Sequence, residues 1–486
     1  MDNAQSKPWV LAWLLLICFM LAGFCCDADA QSVEDPSMQI AELQASIDDL
    51  HQRINALQSR SQSSPFNGEI VDSSDASAWP DCDDCPTSAG PSSSHYLVYD
   101  DAWVIRPNNS GRTPFELRFN IHNQFRYTGF ANSNDLFVDS AGNTIPISAR
   151  NDFDINRGRF VFSGYAFDPN LEFYTNVDYN TVANDPVLLL LSWVSYRFGD
   201  ALTIRAGLLK VPGTWEWEQS SRFTLGAERS LATTFFRPSI TAGVWAQGTL
   251  GESVFYRALV GDGFNTFTLR AAELDVNLAY SALLWWEKGE HFGVGYSDLE
   301  CHESLSLRVG HGFTYASNDS DPIGEPGPEQ TVIRLSDGTR LVEPGAIAPG
   351  VTVNEFDISL YTVHLGLKRR GLSFAAEYFF RWLTSLAATG PIPDSSLFDH
   401  GFFAQGGAFV IPKRLELYAI GSQVRGEFGS GTQIGGGVNW YVKGERGARF
   451  TFDVSRIEDS PADQDRTGLV AGGSGTLFRV QWWHFF

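Results

Sequence analysis

Phe478-Arg479-Val480-Gln481-Trp482-Trp483-His484-Phe485-Phe486 closes the chain. Counting back in twos from Phe486 gives His484, Trp482, Val480 and Phe478, so one face is apolar and aromatic apart from His484. Arg479 and Gln481 fall on the other face. Period-two alternation marks a strand whose two faces meet different surroundings. An edge strand of a soluble sheet would satisfy the pattern. So would the last strand of a β-barrel crossing a bilayer, with its apolar face in lipid and aromatic rings at the interfaces. The density of aromatic side chains favours the barrel, and the rest of the chain tests it.

At the other end, Lys7 precedes an apolar run from Trp9 to Cys26, and Ala28-Asp29-Ala30 supplies small residues at a cleavage spacing. This predicts a signal peptide over 1–30 and a mature chain from Gln31. No later stretch reaches the ~18 apolar residues of a spanning helix, so any membrane crossing is by strands. Cys18, Cys25 and Cys26 leave with the signal. Cys82-x-x-Cys85, in a Pro/Asp/Ser context, reads as a local disulfide of an oxidising compartment rather than a zinc site, for which His95 offers at most one further ligand. The formal charge is −22, and residues 31–101 hold thirteen acids against two bases. That balance excludes nucleic acid as a partner.

Ile40, Leu43, Ile47, Leu50, Ile54 and Leu57 keep a strict heptad with Ile at a and Leu at d. They predict a short coiled-coil helix within residues 31–60. Residues 61–110 read as an acidic flexible linker. From there the period changes to two. Leu117, Phe119, Ile121, Phe125 and Tyr127 alternate with Arg118, Asn120, His122, Gln124 and Arg126. Similar spans occur around Phe173, Ile204, Val309, Phe374, Val438 and Phe450, each close to the ~9–11 residues of a tilted membrane strand. Residues 111–486, at about 23 residues per strand with its connection, give about 16 strands, an even number as bacterial single-chain barrels require. The expected fold is therefore all-β: a transmembrane antiparallel β-barrel of about 16 strands, preceded by a short N-terminal coiled-coil helix. The longest connection, 317–353, is assigned to the outer surface. Inside it, Thr331–Val342 reads as a small hairpin around Asp337-Gly338.

No phosphate loop, dinucleotide fingerprint, zinc-protease motif or nucleophile elbow is present, so no catalytic residues, metal site or cofactor are assigned. Cys301-His302 with His291 and His311 is the best metal-like set and lacks ligand spacing. Arginine stands out instead: 29 of the 35 basic residues are Arg. Arg118, Arg126, Arg157, Arg159, Arg205, Arg257, Arg308, Arg381, Arg449 and Arg479 all fall opposite the apolar stripe of their spans, as do Glu172, Asp178, Glu273, Asp275, Glu377 and Asp453. Arginine keeps its charge and binds anions through a fixed fork of donors, so as a channel lining it favours anions unless acids neutralise it. Two readings stay open: an anion-favouring lining, or Arg–acid pairs that stiffen the wall. The stretch from Lys210 to Pro238 is too aromatic for a solvated loop and too broken for one strand, and predicts a loop folded into the lumen. Its constriction candidates are Lys210, Glu216, Ser220, Ser221, Arg222, Glu228, Arg229 and Arg237.

The order Ile204-Arg-Ala-Gly207-Leu-Leu-Lys210-Val-Pro212, then Ser220-Ser221-Arg222 and Glu228-Arg229-Ser230-Leu231, resembles the phosphate-selective porin O and P family. Phe153-Asp-Ile155-Asn-Arg157-Gly-Arg159, Gly371-Leu-Ser-Phe-Ala-Ala-Glu377-Tyr378, Asn439-Trp440-Tyr441 and the terminal Phe are similar to further strands of that family. The likeness spans most of 112–486. It implies a sixteen-stranded, homotrimeric outer-membrane channel for anions, narrowed by inward loops. Two features depart from the family: five lysines remain after signal removal where a lysine-rich lumen accompanies phosphate selectivity, and His484 stands where Tyr is usual. The expectation is an outer-membrane porin with a periplasmic N-terminal segment, passing small anionic or neutral solutes with a weak anion preference, phosphate among the candidates. The alternatives are a cation-preferring or substrate-specific channel, and a structural protein tethering the envelope. Two roles stay open for the N-terminal segment, splinting a trimer or contacting the cell wall.

Overall fold

The computed structural model describes residues 95–107, 113–182, 186–267, 277–319 and 329–486, all within the second of two compact units, Ala89–Phe486. The expected signal peptide, coiled-coil helix and Cys82-x-x-Cys85 pair lie outside these residues, as do Glu273 and Asp275.

Among the described residues, twenty strands form in chain order. β1 (His95–Tyr99) and β2 (Trp103–Pro107) make a hairpin, and β3 (Phe115–Asn132) follows. β4 (Leu136–Val138) and β5 (Thr144–Pro146) make a separate two-stranded ribbon. Fifteen more strands continue: β6 (Arg150–Ala166), β7 (Asp168–Tyr179), β8 (Val187–Gly199), β9 (Leu202–Lys210), β10 (Ile240–Leu250), β11 (Val254–Gly261), β12 (Ala279–Lys288), β13 (Ser306–Asp319), β14 (Val353–Arg369), β15 (Leu372–Ala388), β16 (Leu397–Ile411), β17 (Leu415–Gly426), β18 (Gly429–Tyr441), β19 (Ala448–Glu458) and β20 (Gly475–Phe485). Each pairs antiparallel with its sequence neighbour, and β20 returns to β3 with Val480 opposite Tyr127 and His484 opposite Asn123. β3 and β6–β20 thus close a sixteen-stranded antiparallel barrel, as the alternation and strand arithmetic predict.

Closure explains one departure from the sequence reading. β3 has 18 residues and β20 has 11, so part of the β3 edge extends past the terminus. Phe486 exchanges backbone hydrogen bonds with Ile121 at 2.8 and 3.1 Å. Beyond that point β2 takes over, with Trp103 opposite Phe119 and Ile105 opposite Leu117. Residues 95–107, read with the linker, therefore form strands, because an unpaired β3 edge would leave backbone donors and acceptors without partners. At the Phe486 end the turns are tight: Arg370 and Gly371 both take positive φ (49° and 80°), the backbone that a two-residue hairpin between β14 and β15 requires.

The period-two faces fall as expected. Phe478, Val480, Trp482, Phe452 and Trp440 point outward, and Arg479, Gln481 and Trp483 point inward and are buried. An outer wall of exposed aromatic and aliphatic side chains suits hydrocarbon, not water. Among the described residues, three segments are inserted into the lumen besides the connection between β19 and β20, whose Arg466 is buried there. Residues 211–239 enter from the end opposite Phe486, residues 289–305 from the Phe486 end, and the hairpin after Glu329 from the opposite end. In that hairpin Leu335 and Thr339 pair around Asp337-Gly338 as expected, yet Ile333, Leu335 and Leu341 are buried. The described part of 317–353 is therefore folded inward from the end opposite Phe486: its apolar side chains find in the lumen a burial that water would deny them.

Candidate functional site

A segment laid inside a barrel has no neighbouring strand to satisfy its backbone, so wall side chains must do so. Residues 211–239 contain α1 (Trp215–Glu218), a 3₁₀ turn at Ser221–Phe223 and α2 (Leu231–Phe236). Thr214 makes no side-chain cap bond to α1. Glu377 of β15 takes that role, accepting from the Trp215 and Glu216 N–H groups at 2.7 and 3.0 Å. Asp453 accepts from Ala227 N–H at 3.0 Å, Gln433 from Leu231 N–H at 2.8 Å and Ser422 from Ala232 N–H at 2.9 Å. Asn439 and Arg449 donate to the Leu225 and Thr224 carbonyls, both at 2.8 Å. Space comes from inward glycines: a Cβ on Gly312 would lie 2.2 Å from the Gly213 carbonyl oxygen, and one on Gly366 would lie 2.8 Å from the Trp215 ring. Phe236 stacks on Phe379 at 5.2 Å.

These contacts come from β13–β19. The other side of the loop faces β6–β11 across a cavity of about 190 Å³. Arg159, Arg205, Lys210, Arg229 and Arg257 border it, with Glu218 and Glu329 as the acids and Tyr174, Trp193, Trp217 and Trp245 as the rings. Five cations therefore face two carboxylates. Arg257 is paired with Glu218. Lys210 gives its ammonium protons to the Trp217 and Gln219 carbonyls at 2.8 and 3.0 Å, with no carboxylate partner among the described residues. Arg205 lies over the Trp193 ring at 4.2 Å and has no ion pair there either. These two cations carry the positive excess of the cavity.

Behind it lies a denser cluster. Glu228 pairs with Arg157 and, at 3.1 Å, with Arg126. Glu329 meets Arg157 at 2.9 Å, Arg466 at 3.0 Å and Arg159 at 3.2 Å. Burial by itself would raise both loop carboxyl groups, but Arg157 and its neighbours outweigh it and hold them below the usual carboxylate range. Both are anions at any neutral pH.

All ten arginines assigned to the inward face point into the barrel, and the structure divides them. Arg159, Arg205 and Arg257 border the cavity. Arg126, Arg157, Arg308, Arg381, Arg449 and Arg479 are buried against carboxylates, carbonyls or rings: Arg381 on Asp399 at 2.7 Å, Arg479 on Asp453 at 2.8 Å, Arg308 over Trp285 at 4.4 Å. Arg118 sits nearer the Phe486 end, against Glu116 at 3.2 Å. Of the constriction candidates, Lys210, Ser220 and Arg229 border the cavity. Glu216 instead accepts from Ser230 Oγ at 2.7 Å, Ser221 accepts from Arg159 at 3.3 Å, and Arg222 lies over Phe485 at 4.5 Å. Glu228 is inside the arginine cluster, and Arg237 is buried beneath Trp217 at 4.3 Å. Sequence reading missed Glu218, Glu329, Arg466 and the cavity's aromatic rings. Glu329 and Arg466 come from loops without alternation, where no periodicity marks a direction.

The family model for phosphate-selective porin O and P matches residues 129–304, a stretch that includes the whole inward loop. No curated protein matches the chain. Among solved structures, the chain is similar to the outer-membrane expressed OmpT of Vibrio cholerae, at 13% identity over 80% of this chain and 100% of that one, with a TM-score of 0.46. It is similar to OprB of Pseudomonas putida at 10% identity over 76% and 94%, with a TM-score of 0.48. The anion-selective porin from Comamonas acidovorans matches at 10% identity over 76% and 99%, also with a TM-score of 0.48.

Proposed function

We propose that this protein is an outer-membrane porin of restricted bore, passing small hydrophilic solutes by passive diffusion with a weak anion preference. The observation that carries the reading is the cavity between the inward loop and β6–β11, where Arg205 and Lys210 stand without carboxylate partners among the described residues. A fixed cation beside a narrow, low-dielectric passage lowers the entry barrier for anions and raises it for cations. The preference is weak because Glu218 and Glu329 face the same space. The outward apolar wall and the family match over 129–304 support the membrane setting. Phosphate belongs to the proposal as one small anion among others, since arginine rather than lysine supplies most of the lining.

The reading extends to a homotrimer with its N-terminal segment on the periplasmic side. In its support, the outer wall over β11–β16 has an apolar groove of about 850 Å³ bordered by Trp286, Val363 and Tyr378. Beside it lie small outward residues, Ala404, Gly406, Ala419 and Gly421, that let a second wall approach closely. Cross-linking in membranes tests the assembly. Swelling of proteoliposomes tests the channel: small anions should enter faster than neutral solutes of equal size, and larger sugars should be excluded. Vesicles that never swell would contradict a porin.

A further inference from the structure

Glu329 is met by more positive charge than one carboxylate needs. Arg237 lies 3.5 Å and Arg229 3.7 Å from it, in addition to Arg157, Arg159 and Arg466. Three of these five have a second carboxylate: Arg157 has Glu228, while Arg159 and Arg466 share Asp178. Arg229 and Arg237 have none among the described residues. Arg229 turns to the Glu216 and Gln219 carbonyls at 3.4 and 3.2 Å, and Arg237 to the Trp217 ring. Both are at most 2% exposed, yet Arg229 Nη1 and Arg237 Nε and Nη2 have no hydrogen-bond partner there. These five guanidinium groups thus share three carboxylates, one of which, Glu228, is also paired with Arg126.

The cations and the carboxylate arrive on different elements. Arg157 and Arg159 belong to β6, Arg229 and Arg237 to the inward loop, and Arg466 to the connection before β20. Glu329 is placed by the hairpin that follows it, which is anchored by buried Ile333 and Leu335 and by Arg381 donating to the Arg334 carbonyl at 2.6 Å. Arg159, Arg229 and Glu329 all border the cavity, so the cluster opens onto it. Two carboxylate oxygens held among forked N–H donors reproduce the contacts of any small oxyanion.

We propose that Glu329 is a tethered competitor of the permeating anion, occupying an oxyanion site built from Arg157, Arg159, Arg229, Arg237 and Arg466. The proposal deepens the channel reading above and rests on it. While the carboxylate is seated, the site holds passing oxyanions weakly and the anion preference of the pore is damped. Neutralising it without changing its size leaves five cations facing two acids, and a mobile oxyanion takes its place.

The test is block of chloride current by inorganic sulfate, whose two charges do not change near neutral pH, in the full-length protein and in Glu329→Gln. The half-blocking sulfate concentration should fall at least about tenfold in the variant, the equivalent of ~1.4 kcal/mol of added affinity. Reversal potentials should move further to the anion side. Equal sulfate sensitivity in a conducting variant would overturn the proposal. If Glu329→Gln does not assemble, Glu329→Asp withdraws the carboxylate by one methylene and should raise sulfate sensitivity in part; no change there is equally fatal. If the wild-type protein does not conduct, the porin reading fails by itself. Calorimetric titration of sulfate into the detergent-solubilised wild type and variant then decides the Glu329 site separately, with tighter binding expected in the variant and equal binding refuting it.

Discussion

Replacing Glu377 by Ala should release α1 from the barrel wall and widen the pore. The carboxylate caps the first turn of α1 through two hydrogen bonds, at 2.7 and 3.0 Å, to donors on Trp215 and Glu216 that are both 1% exposed. Such hydrogen bonds contribute ~0.5–1.5 kcal/mol each, so the pair contributes about 1–3 kcal/mol to docking of this segment. At ~1.4 kcal/mol per decade, the equilibrium constant for docking falls by about fivefold to a hundredfold relative to the wild type. Other contacts on α1 stay: the Thr362 bond to the Gly213 carbonyl at 3.0 Å, the Lys210 contacts with Trp217 and Gln219, the Arg257–Glu218 pair, the Arg229 bonds to the Glu216 and Gln219 carbonyls and the Ser230 bonds to Glu216. The barrel ladder and the Asp453, Gln433 and Ser422 fasteners stay in place, so the protein folds while Trp217 and Glu218 leave the cavity. Single-channel recording in molar KCl should show a larger and noisier open step with reduced anion preference. Glu377→Gln keeps one acceptor oxygen and should fall between. A folded Glu377→Ala protein with wild-type conductance and noise would refute the claim that this carboxylate holds the constriction.

Arg205→Gln removes a cation with no carboxylate partner among the described residues and should move the reversal potential in a KCl gradient toward zero. Arg257→Gln, which frees Glu218, should move it further toward the cation side. Deleting Phe486 removes two backbone hydrogen bonds to Ile121, about 1–3 kcal/mol together, and the stacking on His484. The heat-induced gel-mobility transition should fall in temperature while conductance is kept. His302, in the loop between β12 and β13, lies between two acceptors, the Asp298 carboxylate and the His291 carbonyl at 2.9 Å. Burial lowers its pKa, but the Asp298 hydrogen bond and its companion outweigh burial, and the net shift is upward. The folded-state pKa is raised, so the stabilisation is complete below the free-histidine value of ~6.5 and is lost as pH rises through the folded value. Amide exchange over 289–305 should therefore quicken as pH rises above the free-histidine value of ~6.5, beyond the intrinsic rate change, and His302→Gln should abolish that excess.

The barrel was legible because its cause is local. Alternation in 117–127 and 478–486 states which face meets lipid, and the terminal strand needs nothing else to define its two sides. The inward loop was legible in composition, since the Trp215-Glu216-Trp217 run and the breaks at Pro212 and Pro238 suit neither water nor a strand. Alternation gives the face of a side chain and not its depth. Arg205 and Arg479 share a face, yet one borders a cavity and the other is locked on Asp453. Glu377 and Asp453 read as lumen charges, and their work is to satisfy loop backbone that only the folded barrel brings to them. Glu329, Arg466 and the 289–305 loop reach the lumen through contacts across 100 or more residues, as between Arg157 and Glu329 at a separation of 172. No short-range pattern records such a pairing. The β1–β2 hairpin was hidden for another reason: the need for it arises from the unequal lengths of β3 and β20.

A passive, weakly anion-preferring pore is tested most directly by the reversal potential of the full-length protein in a planar bilayer under a KCl gradient. Discrete open steps with a modest potential on the chloride side are expected, from Arg205 and Lys210 acting against Glu218 and Glu329. A potential on the potassium side would contradict the assignment of selectivity to those cations, and a silent bilayer would contradict the channel.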